Sequence, residues 1–245
     1  MPVFTEVCVD HIESLLIAAK AGAGRIELCS SLEVGGLTPS AGLMSLARRH
    51  CNIPVYAMIR ARQGDFLFSD HDKEQMLFDI HQAKQANLDG IVIGSLHADG
   101  NIDQEFCREA VALAGPLGVT FHRAIDHCND PIGGLDPLIS LGVERVLTSG
   151  GKASAERGIE TLSSMVKQAN GRLSIMAGAG INQANVANIV AKTGVREVHL
   201  SGKTLRDSNM QYRNVDATMG SLDVDDFSIP VTDFDKIQAV TQLFK

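Results

Sequence analysis

GAGRIELCS (22–30), GVERVLTSG (142–150) and GVREVHLSG (194–202) are three versions of one phrase. Each opens on glycine, alternates charged or polar residues with apolar ones, and closes on a small residue. A glycine in that place ends a helix, and an alternation of period two is a strand. Aligned, the phrases put Glu27, Leu147 and His199 at one step and Cys29, Ser149 and Ser201 two residues on, so each trio faces one side of a sheet.

Working outward, similar short apolar runs predict strands at Val3–Val9, Arg25–Leu28, Pro54–Ile59, Asp89–Gly94, Gly118–Phe121, Glu144–Leu147, Arg172–Met176 and Arg196–Leu200. Helical patterns fill the gaps, as at His11–Ala21, Asp70–Ala86 and Asn182–Lys192. Asp10 with Glu13 reads as a capping box, and Thr38-Pro39 and Asp130-Pro131 read as caps followed by proline in the first helical position. Strands that alternate with helices pair in parallel. Eight such units in 245 residues predict an α/β fold, a single-domain (β/α)8 TIM barrel over 1–245. The polar segment at about 203–229 reads as one long loop before the last helix.

Composition narrows the function. The net charge is -7 and aromatics make up 4%, with no Trp, which excludes a basic field and stacking platforms for nucleic acid. Five irregularly spaced Cys argue against a disulfide framework and for reduced thiols. The start MPVFTEVCVD has neither a basic lead nor a long apolar core, and no apolar run reaches membrane-span length. A soluble, cytoplasmic protein is the expectation.

Barrel enzymes build their sites at the C-terminal ends of the strands. Here those ends deliver Glu6, Cys8 and Asp10; Glu27 and Cys29; Arg60, Arg62 and Asp65; His122, Arg123 and Asp126; Thr148, Ser149, Gly150 and Gly151; Gly178 and Gly180; and His199 with Ser201. Glu6 shares parity with Cys8, and Glu27 with Cys29, so inward-facing pairs would bring two thiols and two carboxylates together on adjacent strands. Two thiolates suit Cu(I), or Zn(II) with further ligands, whereas free Cys is also common inert packing. Arg60 and Arg62 read either as a clamp for a carboxylate or phosphate, or as rim arginines paired to Glu6 and Glu27. His122 reads as a general acid/base oriented by Asp126, or as a satisfied rim histidine, while Asp126 alternatively pairs with Arg123. The glycine loops 148–151 and 178–181 read as an anion cradle, or as tight turns that need glycine in any case.

Taken together, EVCVD (6–10), RIELCSSLEVGGLTPS (25–40), MIRARQGDF (58–66), VTFHRAID (119–126), RVLTSGG (145–151), AGAGI (177–181) and RDSNMQYRN (206–214) resemble the CutC family, named for copper homeostasis. The match runs in order from the first strand to beyond the eighth. The resemblance implies the barrel, a homo-oligomer (dimer or tetramer), and a cytosolic Cu(I)-binding role with Cys8 and Cys29 as ligands. Ala61 and Gln63 depart from the proline and glycine common in relatives, which alters the Arg60–Arg62 loop.

Two functions compete. One is copper handling through Cys8 and Cys29. The other is an isomerase, lyase or hydrolase on a small anionic or phosphorylated substrate. Its anion would be held by Arg60, Arg62, Arg123, Thr148, Ser149, Gly150, Gly151, Gly178, Gly180 and Ser201. Glu6, Glu27, His122 and Asp126 would do its proton chemistry.

Overall fold

The computed structural model describes residues 2–214, 216–217 and 225–244. Eight parallel strands close into a barrel in chain order: β1 (Phe4–Val9), β2 (Arg25–Leu28), β3 (Val55–Met58), β4 (Gly90–Ile93), β5 (Gly118–Phe121), β6 (Arg145–Thr148), β7 (Ser174–Ala177) and β8 (Glu197–Leu200). Helices α1 (Ile12–Lys20), α2 (Ala41–His50), α3 (Asp70–Gln85), α4 (Gln104–Ala114), α5 (Leu135–Ser140), α6 (Ile159–Ala169), α7 (Val186–Thr193) and α8 (Phe234–Thr241) alternate with them. Every predicted strand is present.

Three predicted caps move by a residue or more. α1 is capped by His11, whose Nδ1 accepts from the Ser14 amide, so Asp10 stands outside. Ser40, not Thr38, caps α2 through the Leu43 amide. The Asp130 carboxylate accepts from Gly133 N in the turn before α5, and the helix itself starts only at Leu135. A Ser or Asp side chain here is worth about 1 kcal/mol, and whichever side chain reaches the second or third free amide takes the role.

The segment read as one loop carries structure at both ends. β9 (Lys203–Asp207) pairs antiparallel with β10 (Ser228–Thr232) as a separate two-stranded sheet. Residues 215 and 218–224 of that segment lie outside the described residues.

The strands' outward residues, such as Val7, Ile26, Ile91, Phe121 and Val198, pack beneath the helices' buried faces in one apolar core. The barrel interior is different. Barrels usually fill that space with apolar layers, but this floor is ionic. Arg25 donates to Glu6 Oε2 and, from Nη2, to Glu197 Oε2 at 2.8 Å. Arg145 Nη1 donates to Thr120 Oγ1 at 3.1 Å, and its Nε to Glu197. Tyr56 lies across this floor, with the Arg25 guanidinium 5.0 Å from its ring centre. Glycines make the room: a Cβ on Gly90 would stand 2.4 Å from the Tyr56 ring, and one on Gly118 1.9 Å from its hydroxyl.

Candidate functional site

Above the ionic floor, the C-terminal strand ends surround a cavity of about 660 Å³. Such a volume falls in the usual range for small-molecule sites. Cys8, Glu27, Met58, Arg60, His122, Leu147 and His199 line it from six strands or the residues just past them. The aligned trio Glu27, Leu147 and His199 therefore does face one space, as its shared parity predicts.

Register decides what meets what. Cys8 is level with Glu27, and Glu6 is level with Arg25 on one side and His199 on the other. Cys8, Glu27 and His199 thus offer a sulfur, a carboxylate oxygen and a ring nitrogen within 4.8 Å of one another, all buried. Cys29 is not in that group. It lies two residues beyond Glu27, just past the end of β2, fully buried among Tyr56, Met58 and Val92, and its thiol donates to Glu27 Oε2 at 3.6 Å. Burial, then the Glu27 charge, pushes this thiol well above its ordinary value.

His199 has no assigned role in the sequence reading, yet it is the hinge of the site. Its Nδ1 lies 2.8 Å from Glu6 Oε1, which fixes the ring and turns Nε2 toward Glu27 Oε2, 3.7 Å away. Burial alone would discharge this ring, but the surrounding Cys8, Glu27 and Glu6 outweigh it and push the imidazole well above its ordinary value. The two glutamates diverge. Burial disfavours charge on Glu6, but the His199 hydrogen bond and the Arg25 charge outweigh it and bring Glu6 down to about 2. Glu27 lacks an arginine partner, so burial pushes it up to about 7 against the pull of His199.

The predicted arginine clamp is not formed. Of the two, Arg60 lines the cavity and Arg62 does not. Arg60 Nη1 donates to the carbonyls of Val34 and Gly36 and its Nη2 to that of Gly64, at 2.8–3.2 Å. Arg62 points away, paired with Asp65 at 2.9 Å and Asp72 at 3.3 Å. Neither arginine pairs with Glu6 or Glu27; Arg25 serves Glu6 from inside the barrel.

His122 lines the cavity, its Nδ1 accepts from Ala124 N at 3.1 Å, and its buried Nε2 has no protein partner. That bond leaves the ring proton on Nε2. Burial, then the Arg60 charge, lowers this histidine to about 3, so it stays neutral. Asp126 does not orient it. The Asp126 carboxylate instead accepts from Thr148 Oγ1, Ser149 N, Gly151 N and Arg123 Nε. The loop 148–151 therefore cradles an anion, but the anion is the protein's own side chain. Burial opposes charge on Asp126, yet these donors hold its carboxyl below the ordinary value. Gly180 and Ser201 line the cavity, whereas Gly178 is packed against Leu147 and the loop residues Thr148, Ser149, Gly150 and Gly151 do not reach it. Arg123 lines the rim while tied to Asp126.

Fold and site together define a barrel protein with a cavity at its C-terminal face and a thiol–imidazole–carboxylate cluster in the cavity wall. The CutC family model matches residues 3–204, and the chain belongs to the CutC family. The family protein CutC of Photobacterium profundum is 56% identical over 241 residues, covering 98% of both chains. That of Vibrio campbellii is 56% identical over 236 residues, 95% of each. A solved structure of CutC from Streptococcus agalactiae is 32% identical with a TM-score of 0.77, covering 80% of this chain and 97% of that one. A thiamine phosphate pyrophosphorylase from Pyrococcus furiosus, at 16% identity and a TM-score of 0.55 over 82% of this chain and 86% of its own, shares the fold alone.

Proposed function

We propose that this protein handles copper, taking one Cu(I) ion as cargo at Cys8 and His199, with Glu27 as the third donor. The cluster itself carries the reading: three ligand atoms within 4.8 Å, on strands that hold them without a loop. The donor chemistry fits. Thiolate and imidazole suit Cu(I), while the carboxylate is a harder, weaker partner. Glu6 would serve as the outer group that orients the histidine ligand, an arrangement usual at metal sites. The family relationship supports the same reading, since the Streptococcus agalactiae protein is described as a candidate copper homeostasis protein.

The reading replaces the two-thiol site with a one-thiol site. In this reading Cys29, fully buried with its thiol on Glu27 Oε2, is a neighbour rather than a ligand. The cytoplasm, where thiols stay reduced, is the compartment proposed with it. X-ray absorption at the copper edge of the Cu(I)-loaded protein tests the donor set. One sulfur with nitrogen or oxygen neighbours is expected, and a two-sulfur shell would restore the Cys8–Cys29 pair.

A further inference from the structure

Among the described residues, four buried side-chain polar atoms have no protein hydrogen-bond partner: Glu27 Oε1, Arg60 Nε, Asp79 Oδ2 and His122 Nε2. Three of the four belong to residues that line the cavity at the C-terminal strand ends. Stranding a buried polar group costs about 1–3 kcal/mol, so such groups concentrate where a ligand completes them. The copper reading involves Glu27 but gives Arg60 and His122 nothing to do. Nor does a bare ion need a cavity of about 660 Å³.

Arg60 is 6% exposed and has no carboxylate in ion-pair range among the described residues. Its two Nη groups are committed to carbonyls, which fix the guanidinium and leave Nε–H over. His122 is 3% exposed, and its bond from Ala124 N makes Nε2 a second donor. Phe66 packs against both, 5.1 Å from the Arg60 guanidinium carbon and 5.0 Å from the His122 ring centre. Gly94 is kept bare for this: a Cβ there would stand 2.3 Å from the His122 ring. The result is one buried, uncompensated cation and one neutral donor, both held rigidly by other contacts.

The charges along the walls agree. The chain is net -7, but its cavity is lined by Arg60, Arg123, Lys203 and Lys236 against the single carboxylate of Glu27. Arg60 and His122 follow β3 and β5, whereas the cluster of Cys8, Glu27 and His199 lies on β1, β2 and β8. An acid group docked on the first wall is therefore set apart from Glu27.

The geometry points to a carboxylate subsite, in which Arg60 Nε–H and His122 Nε2–H each donate to one oxygen of a small organic acid that fills the rest of the cavity. Two single donors match the two oxygens of a carboxylate, while a phosphate, with more charge and more acceptors, calls for more donors than this wall leaves free. The inference stands apart from the copper reading and needs no metal.

The test is calorimetric titration of metal-free protein with acetate, malonate, inorganic phosphate and methyl phosphate. Malonate and acetate are expected to bind, with affinity falling about tenfold or more in Arg60→Lys and in His122→Phe. Because Arg60 also ties three backbone carbonyls, wild-type protein gives a second readout: the Arg60 Nε–H and His122 Nε2–H proton and nitrogen resonances should both move on adding malonate. Carboxylate binding that leaves both resonances and both variants unaffected would overturn the proposal. So would a preference for the phosphates, or no binding by any of the four. A Cu(I) titration run separately allows either reading to fail alone.

Discussion

Cys8 on β1 is the register partner of Glu27 on β2, and Cys29 stands two residues beyond it. With about 3.3 Å of rise per residue, that step puts the backbone of Cys29 above the level of Cys8, and its thiol meets the site through Glu27 Oε2 at 3.6 Å. The same register sets Glu6 beside Arg25 and His199. One pairing thus decides both which groups share the cavity and which carboxylate is neutralised beneath it.

Arg25 bridges Glu6 and Glu197 inside the barrel, with its side chain only 5% exposed. Removing one partner of a buried ion pair strands the other charge, at a cost of about 3–5 kcal/mol. Arg25→Met should lower urea-unfolding stability by that amount, and adding Glu6→Gln should return part of it. A single-variant loss below about 1 kcal/mol would mean that water reaches this floor.

His122 makes a pH prediction. Its folded value of about 3 lies below the unfolded 6.5. For a depressed group the stability contribution is complete above the unfolded value and is lost as pH falls toward the folded one. Protonation is disfavoured by burial and by Arg60, and the ring's other neighbours, Phe66 and Phe121, carry no charge. His122→Phe should therefore gain on wild type in chemical denaturation as pH drops from 6.5 toward 4. A constant difference over that window would contradict the neutral, buried ring.

Asp126→Asn should cost about 2–3 kcal/mol, since Ser149 N, Gly151 N and Thr148 Oγ1 lose a charged acceptor. Thermal melts check this. Carboxylate affinity should stay unchanged, because Asp126 does not line the cavity. A variant as stable as wild type would show that these donors find water instead.

The barrel was legible because strand alternation and glycine punctuation are local signals. The inward parity of Glu27, Leu147 and His199 was legible for the same reason. Charged residues at inward positions, Glu6, Arg25, Arg145 and Glu197, were visible too, and they are the signal that could have exposed the ionic floor. Register was not legible, since parity says which face a residue takes but not which neighbour stands level with it. That is why the sequence does not show that Glu27 stands level with Cys8 and leaves His199 without a role. The loops were harder still. Nothing in RAR (60–62) tells that Arg60 turns inward while Arg62 finds Asp65 and Asp72, and nothing in TSGG (148–151) tells that Asp126 fills the cradle.

The central claim is that one thiol and one imidazole, not two thiols, form the copper site. An anaerobic Cu(I) competition titration of wild type, Cys8→Ser, Cys29→Ser and His199→Ala tests it most directly. The account predicts one tight equivalent in wild type and in Cys29→Ser, lost in Cys8→Ser and weakened by at least about tenfold in His199→Ala. Copper binding that disappears with Cys29 and ignores His199 would contradict it.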